Sequence, residues 1–391
     1  MLNETVQTAW DSIQHGSSTF LPGSFEDALV WFKKINCYPK LIWKGRESSV
    51  VYFCVGIGHS PSNLPTFTVR AFDTTQPQWD GFPNALRWTP FGIVEWNPEE
   101  PTHCTMYKSQ IQQEWQPAQG HIQVHRSHQP DLTRWTKNID RSKQLFHDTT
   151  LRKVVLARES YFESAAPWEQ FLELTTSQPN NYHFLFSPKP NTIFLGASPE
   201  QLFSQSGSLL KTEALAGTRS VSKDVFKNAS LVEELSQSNK DQTEHHIVVQ
   251  YIHTQLKDLC LEQRILAQEI LQLPHVQHLR TPIECIVHPD TTTEQLLDRL
   301  HPTPAVCGIP KRISNQLISE LEPFHRGWYA GTMGIEHNDN TDFTVMIRSA
   351  LWRDDAGYAW SGAGIVEESD ADLEWLEVEN KAKQFLQQET V

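Results

Sequence analysis

Two pairs of acidic residues could together hold a metal ion. Asp241 and Glu244 are three positions apart in a segment whose pattern predicts a helix, and Glu374 and Glu377 repeat this spacing near the end of the chain. Residues three or four apart lie on one face of a helix. Two helices that each offer two carboxylates would form an all-oxygen site, which favours Mg²⁺ over zinc. Taken alone, the spacing is more typical of a solvent-exposed acidic helix face.

A lysine and a glutamate at the ends of predicted strands could serve as a base and an acid. Lys153 begins the strand-like run KVVLAR, where alternation places it on the same face as Val155 and Ala157. Burial there would lower the lysine pKa and allow a neutral general base. Glu200 follows an apolar strand in the turn GASPE, and burial would raise its pKa and suit a general acid. The alternatives are a lysine that reaches solvent from the strand end and an ordinary turn glutamate.

Three segments could bind an anion. Arg348 interrupts an apolar run, and a buried arginine needs a carboxylate from the protein or from a ligand. Segments 216–219 and 301–308 contain glycine and predict tight loops whose backbone amides could meet an anion. A carboxylate of the protein itself is the simpler partner for Arg348.

The elements that must position these residues are short strands interspersed with long helices. Helices are predicted from residue 131, over 225–260 and over 370–388, whereas residues 101–130 are polar and predict a long loop or linker. The predicted strands cover residues 39–43, 49–56, 153–158, 182–187, 192–196, 329–336, 343–352 and 358–365. Hairpin-like strand pairs among long helices indicate an α+β fold with a largely antiparallel sheet.

The composition limits the partners and the compartment. The 391 residues include 33 Lys and Arg against 47 Asp and Glu, which gives a net charge of −14 and argues against nucleic acid or anionic lipid as a partner. The longest apolar stretches, such as residues 50–57, are far shorter than the roughly 20 residues of a membrane helix. Because six scattered cysteines without a Cys-x-x-Cys pair are typical of reduced thiols, and no signal-peptide pattern is present, we expect a cytoplasmic protein.

Eight motifs, in this order, resemble those of the chorismate-utilising enzymes, and most closely the isochorismate synthases of menaquinone or siderophore pathways. They lie between residues 151 and 381: KVVLAR, FLGASPEQLF, ALAGTR, KDQTEHH, HPTPAVCGIPK, RGWYAG, IRSAL and GAGIVEESDADLEWLEVENK. The resemblance implies two stacked, mostly antiparallel β-sheets flanked by helices, the fold of anthranilate synthase component I. It also implies a single domain over 1–391, with a variable N-terminal part of the sheet at 1–100 and a catalytic core at 131–391.

The resemblance assigns a role to each matching position. Lys153 falls where isochorismate synthases carry the base that activates water, and Glu200 matches the acid that protonates the departing C4 hydroxyl. Glu244 and Glu377 match Mg²⁺ ligands, with Asp241 and Glu374 as second acids that act through water. The positions that match substrate-binding groups are Gly217, Thr218, His278, Ala305, Tyr329, Arg348, Gly362, Gly364 and Lys381.

The implied reaction is an isomerisation of chorismate to isochorismate, with Mg²⁺ as cofactor, water added at C2 and the C4 hydroxyl lost. Ala305 stands where salicylate and anthranilate synthases tend to carry Thr, which favours a reaction that stops at isochorismate. Salicylate synthase, which goes on to eliminate pyruvate, is the alternative, followed by a non-catalytic cation-binding protein of the same fold. Ser220 after AGTR and His325 before Arg326 depart from the family pattern. We expect chorismate as the small-molecule partner, no nucleic-acid or membrane partner, and a monomer.

Overall fold

Two large sheets contain nearly all the strands that the computed structural model describes. The description covers residues 24–59, 64–100, 104–111, 115–120, 127–164, 166–273 and 276–386. The helices in these ranges are α1 (Phe25–Lys34), α2 (Leu132–Asp148), α3 (Pro167–Ser177), α4 (Val225–Gln237), α5 (Asn239–Leu256), α6 (Thr293–Leu300), α7 (Lys311–Leu321) and α8 (Ala371–Leu386).

Sheet I has ten strands and sheet II has nine, and every described strand pair in them is antiparallel. In spatial order, sheet I contains β17 (Gly308–Ile309), β9 (Lys153–Glu163), β21 (Ala356–Ile365), β20 (Ser349–Arg353), β11 (Thr192–Ser198), β10 (Tyr182–Lys189), β1 (Lys40–Lys44), β2 (Val51–Val55), β6 (Gly92–Trp96) and β7 (Cys104–Lys108). Sheet II contains β14 (Cys260–Ile265), β16 (Val276–Val287), β13 (Leu209–Ser220), β12 (Gln201–Ser206), β19 (Asn340–Val345), β18 (Thr332–His337), β4 (Thr66–Arg70) and β5 (Ala85–Trp88), with β15 (Glu269–Gln272) beside β16. A separate small pair joins β3 (Gly58–His59) to β8 (Gln110–Ile111).

Sheet I is buried on both faces because alternate side chains enter two different cores. In β1, Leu41 and Trp43 belong to the main core, which also includes side chains of sheet II such as Phe203 and Phe343. Ile42, between them, belongs to a second core that sheet I forms with helices α1 and α3. This layered arrangement confirms the predicted α+β class with two stacked antiparallel sheets flanked by helices.

The prediction of a loop over residues 101–130 is wrong for residues 104–108. These residues form β7, which pairs with β6 at the end of sheet I. Thr105 and Met106 are both exposed on this last strand, so the segment lacks the apolar alternation by which a strand is recognised.

The segment 225–260 forms two helices rather than one. Helix α4 ends at Gln237, and Ser238 then caps α5, because its Oγ accepts a hydrogen bond from the backbone N–H of Asp241 at 3.3 Å. The chain enters β14 at Cys260. This break matters for the site, since the cap fixes the first turn of the helix that carries Asp241 and Glu244.

The predicted strand over residues 343–352 is also two strands. Strand β19 ends at Val345 in sheet II and β20 begins at Ser349 in sheet I, so residues 346–348 cross from one sheet to the other. Arg348 lies in this crossing with φ +52. Because both strands are buried, apolar residues stand on both sides of the crossing. The apolar pattern therefore does not reveal the change of sheet. The strand expected over 329–336 begins at Thr332, so Tyr329 precedes it.

Among the described residues, no helix has the length and apolar character needed to cross a membrane.

Candidate active site

A cavity of about 650 Å³, including its open mouth, is lined by residues of both sheets and by helices α5 and α8. Every predicted site residue except Lys153, Asp241 and Glu374 lines it. The volume lies in the range of typical small-molecule sites. The structure therefore brings together residues that are up to about two hundred positions apart in the chain.

Lys153 lies at the start of β9, directly behind the cavity wall. Its side chain is 0% exposed, and its Nζ lies 3.0 Å from Oε1 of Glu244. Gly364 of β21, which pairs with Val155, makes this contact possible, because a Cβ at Gly364 would overlap the carboxylate of Glu244 and press on Cε of Lys153. The predicted base thus lies beside a predicted metal ligand.

Glu200 occupies the turn between β11 and β12 and is buried. Burial, with a smaller contribution from the nearby Glu213 carboxylate, raises its pKa to about 8 against the opposing charges of Lys153 and Lys381. Thr344 fixes the backbone at this point, since its Oγ1 donates to the carbonyl of Glu200 at 2.7 Å. At neutral pH Glu200 is therefore mainly protonated, the state that a general acid needs.

A β-bulge shapes the cavity wall on sheet II. The register of β13 against β16 shifts between Ala216 and Thr218, and Gly217 at the bulge has φ +73. A Cβ at Gly217 would come within 3.1 Å of Cβ of Asp241, so both the conformation and the close approach favour glycine. The bulge directs Thr218 and the facing His278 of β16 toward the cavity.

His278 is neutral and presents a hydrogen-bond acceptor. Its Nδ1 lies 3.0 Å from the carbonyl oxygen of Gly217, and a carbonyl can only accept, so Nδ1 carries the hydrogen. Burial, with the charges of Arg348 and Lys381, lowers its pKa to about 3. Nε2 has no partner among the described residues and can accept a hydrogen bond from a ligand hydroxyl.

Arg348 is the cation that the cavity offers to an anionic ligand. Within the described part of the chain, no carboxylate forms an ion pair with it. The negative charge of Glu377 acts to raise the pKa of Arg348, but Glu377 is itself paired with Lys381, at 2.6 Å between Nζ and Oε1. Burial lowers the pKa of Arg348 to about 10, so it stays charged at neutral pH. Its left-handed backbone conformation costs energy and is typical of residues at functional sites.

Three carboxylates converge between α5 and α8. Glu244 of α5 and Glu374 and Glu377 of α8 all have an oxygen within 4 Å of Nζ of Lys240. Burial raises the pKa of Glu374 to about 7, while Lys381 and Lys240 outweigh burial at Glu377 and hold its pKa at about 2. Among the described residues, no group of three acidic, histidine or cysteine side chains is already spaced to hold a metal. The all-oxygen donor set, gathered around a positive charge, nevertheless fits a hard divalent cation such as Mg²⁺.

Asp241 contacts a different partner from the one expected. Its buried carboxylate lies 2.7 Å from Nη2 of Arg219, whose Nη1 donates to the carbonyl of Thr218 at 2.8 Å. The pair holds the β13 bulge against the start of α5. Its role as a second metal acid remains a prediction.

Several residues that line the cavity were not predicted from the sequence. Trp360 stacks on Tyr329 with ring centroids 6.0 Å apart and an interplanar angle of 23°, and forms an aromatic wall. The others are Val155, Pro199, Leu215, Ala216, Val306, Ile347 and Ser361. Val155 carried a signal, because strand alternation placed it on the face of Lys153, and Ala216 and Val306 lie in the segments 216–219 and 301–308 that were predicted to meet an anion.

The comparison with known proteins identifies the family. The family model described as chorismate binding enzyme matches residues 97–388. The chain belongs to the chorismate-binding enzyme family. This membership confirms the resemblance that the eight motifs indicated.

Individual members of the chorismate-binding family are similar over different lengths. The chain is 36% identical to isochorismate synthase MenF of Pasteurella multocida over 263 residues, which cover 66% of this chain and 61% of that protein. It is 31% identical to isochorismate synthase MenF of Escherichia coli over 386 residues, 91% of this chain and 89% of that one. The solved structure of the menaquinone-specific isochorismate synthase MenF from Escherichia coli matches with a TM-score of 0.78 and 27% identity, over 97% of this chain and 98% of that chain.

Proposed function

We propose that this member of the chorismate-binding family is an Mg²⁺-dependent isochorismate synthase. The observation that carries the proposal is Glu200, a carboxyl group with a raised pKa of about 8 in a cavity that also contains the unpaired Arg348. Chorismate bears two carboxylates and a C4 hydroxyl, so a substrate of this kind needs both a cation and an acid. Membership of the family and similarity to the two MenF proteins support the same activity.

Different side chains of the cavity bind different groups of the substrate. Arg348 pairs with one substrate carboxylate, and its planar guanidinium suits a bidentate contact. Nε2 of His278 accepts a hydrogen bond from a hydroxyl group, and the ring of Trp360 excludes water from one side. Glu244 and Glu377 would hold Mg²⁺, which when bound offsets the negative charge of a substrate carboxylate.

The proposed reaction adds a hydroxyl group at C2 and removes the one at C4, so the composition of the substrate does not change. Lys153 accepts a proton from a water molecule whose oxygen bonds to C2, the two ring double bonds shift in concert, and the C4–O bond breaks. Glu200 gives its proton to the departing oxygen, which leaves as water. Lys153 then carries the proton taken from the attacking water, and Glu200 lacks the proton given to the departing water, so proton exchange with solvent restores the starting state of both.

Lys153 can act as this base only if its environment changes from the one described. Its Nζ lies 3.0 Å from Oε1 of Glu244, so the atom that must meet the attacking water is engaged by a carboxylate. Glu244 must therefore direct its charge away from Lys153, as it would if it ligated a cation. Metal binding and base activation then depend on one side chain.

Product analysis tests the proposal. The purified chain is incubated with chorismate and Mg²⁺, with a chelator-treated sample and Glu200→Gln as controls, and the products are separated and identified by mass. We expect isochorismate in the first sample alone. Absence of isochorismate from the Mg²⁺ sample would contradict the proposal, and joint release of salicylate and pyruvate would identify a salicylate synthase instead.

A further inference from the structure

Lys240 is the side chain that all three carboxylates of the α5–α8 cluster share. Its Nζ lies 2.9 Å from Oε1 of Glu374, 3.7 Å from Oε2 of Glu244 and 3.9 Å from Oε2 of Glu377. Among the described residues, the other two lysines of the cluster each pair with one carboxylate: Lys153 with Glu244, and Lys381, which also donates to the Gly362 carbonyl, with Glu377. Lys240 is therefore placed at the point where one cation is shared by several oxygens.

The position of Lys240 is built into the fold. It lies in the first turn of α5, which Ser238 caps, whereas Glu374 and Glu377 come from α8. The side chain is 18% exposed, and it borders a solvent-open groove between the two helices. A lysine has a long flexible stem, so its ammonium can move from the cluster into this groove without a change in the backbone.

We propose that Lys240 is an internal counter-ion that holds the carboxylates of Glu244, Glu374 and Glu377 together without metal, and that it must withdraw into the groove before Mg²⁺ binds. The inference rests on the proposed function, because it assigns the cation site of that function to this cluster. Metal binding then exchanges one cation for another, and the α5–α8 contact persists in both states. Lys240 is thus a positioning residue that weakens the affinity for Mg²⁺.

The test is a titration of the full chain with MgCl₂ alone, after removal of metal by a chelator, followed by isothermal titration calorimetry. Lys240→Gln should bind Mg²⁺ about tenfold more tightly than the wild type, equivalent to about 1.4 kcal/mol. Lys240→Arg, which keeps the charge, should not gain affinity. Lys383→Gln is the matched control, because it removes one positive charge from an exposed position outside the cluster, on α8, the helix of Glu374 and Glu377. It should leave the Mg²⁺ affinity unchanged.

A second measurement uses the wild-type chain and does not depend on the folding of a variant. Acetylation of lysines by acetic anhydride, read residue by residue by mass spectrometry, should label Lys240 more strongly with MgCl₂ than without it, and label Lys383 equally in both. Unchanged or weaker Mg²⁺ affinity of Lys240→Gln, or protection of Lys240 by Mg²⁺, would overturn the proposal. Neither measurement contains chorismate, so a failure to form isochorismate leaves both results interpretable.

Discussion

The two ends of the cavity handle charge in opposite ways. At the end built by the strands, Arg348 has no carboxylate partner within the described residues and Glu200 is buried with a raised pKa. At the end built by α5 and α8, every carboxylate of the cluster already faces a lysine. In the proposed mechanism, the strand end is ready to receive a substrate carboxylate, whereas at the helix end Lys240 must first withdraw before Mg²⁺ can bind. The predictions below test this contrast, from the largest expected effect to the smallest.

Removal of the base should have the largest effect. Lys153→Ala should lower kcat by about 10⁴-fold, the upper end of what one general base contributes, because no other described side chain replaces it. Binding of chorismate, measured by calorimetry, should persist, since Lys153 does not line the cavity. Appreciable turnover by this variant would exclude Lys153 as the base.

Loss of the acid should be nearly as severe and should change the pH profile. Glu200→Gln keeps the shape of the side chain but has no proton to give, so kcat should fall by about 10²–10³-fold. In the wild type the protonated form is present below a pKa of about 8 and is lost as pH rises through it, so kcat should decline above pH 8. A rate that stays constant from pH 7 to pH 9 would contradict this role.

Removal of the unpaired cation should affect substrate binding more than the chemical step. Arg348→Met removes a charge-assisted contact worth about 1.5–3 kcal/mol, so KM should rise by about 10- to 100-fold. Arg353→Met is the matched control, because this partly exposed arginine of β20 only approaches Asp80, at 3.4 Å. Equal KM values for the two variants would show that Arg348 does not receive a substrate carboxylate.

A methyl group at Gly364 should disturb the contact between the two ends. Gly364→Ala forces Glu244 and Lys153 to shift, and kcat should fall by about tenfold, less than the 10²-fold that a misplacement of about 1 Å can cause. Gly207→Ala adds a methyl group in open space, at a glycine whose φ is +57. This control variant should lower only the stability and leave kcat unchanged. A loss of kcat in Gly207→Ala comparable to that in Gly364→Ala would remove the argument for Gly364.

The smallest effect is expected at Asp241. Asp241→Asn weakens the contact with Arg219, which is partly exposed, so the free energy of unfolding should fall by about 1 kcal/mol in a denaturant titration. The Mg²⁺ affinity should stay the same, because the carboxylate faces Arg219. A marked loss of Mg²⁺ affinity would instead support the predicted role of Asp241 as a second metal acid.

Residues in local motifs were predictable, whereas their long-range partners were not. Lys153 and Glu200 stand in short segments whose alternation and turn residues indicate their position, and the structure places Glu200 in the cavity wall and Lys153 behind it, beside Glu244. Lys240 has no such signal, because its pattern is that of a polar helix face and its partners on α8 lie more than one hundred and thirty positions away. Trp360 has no such signal either, since a strand pattern cannot tell a packed face from a cavity wall.

The fold shows the same division between local and long-range information. The family motifs predicted the two stacked sheets, and the structure confirms them. The crossing at residues 346–348 escaped prediction because apolar residues precede and follow it, so nothing in the pattern marks the change of sheet. Strand β7 escaped for a different reason, since the exposed Thr105 and Met106 at the end of sheet I break the alternation by which a strand is recognised.

Because Arg348 lies in the crossing at residues 346–348, its position depends on how sheet I and sheet II are aligned. A link this short leaves no slack, so any sliding of sheet I over sheet II must displace the guanidinium. Affinity for an anionic substrate should therefore respond to substitution of core residues that do not line the cavity, such as Phe203 and Phe343, whose rings stack with centroids 5.0 Å apart. A small shift of one sheet relative to the other would therefore abolish catalytic activity while the chain is still folded.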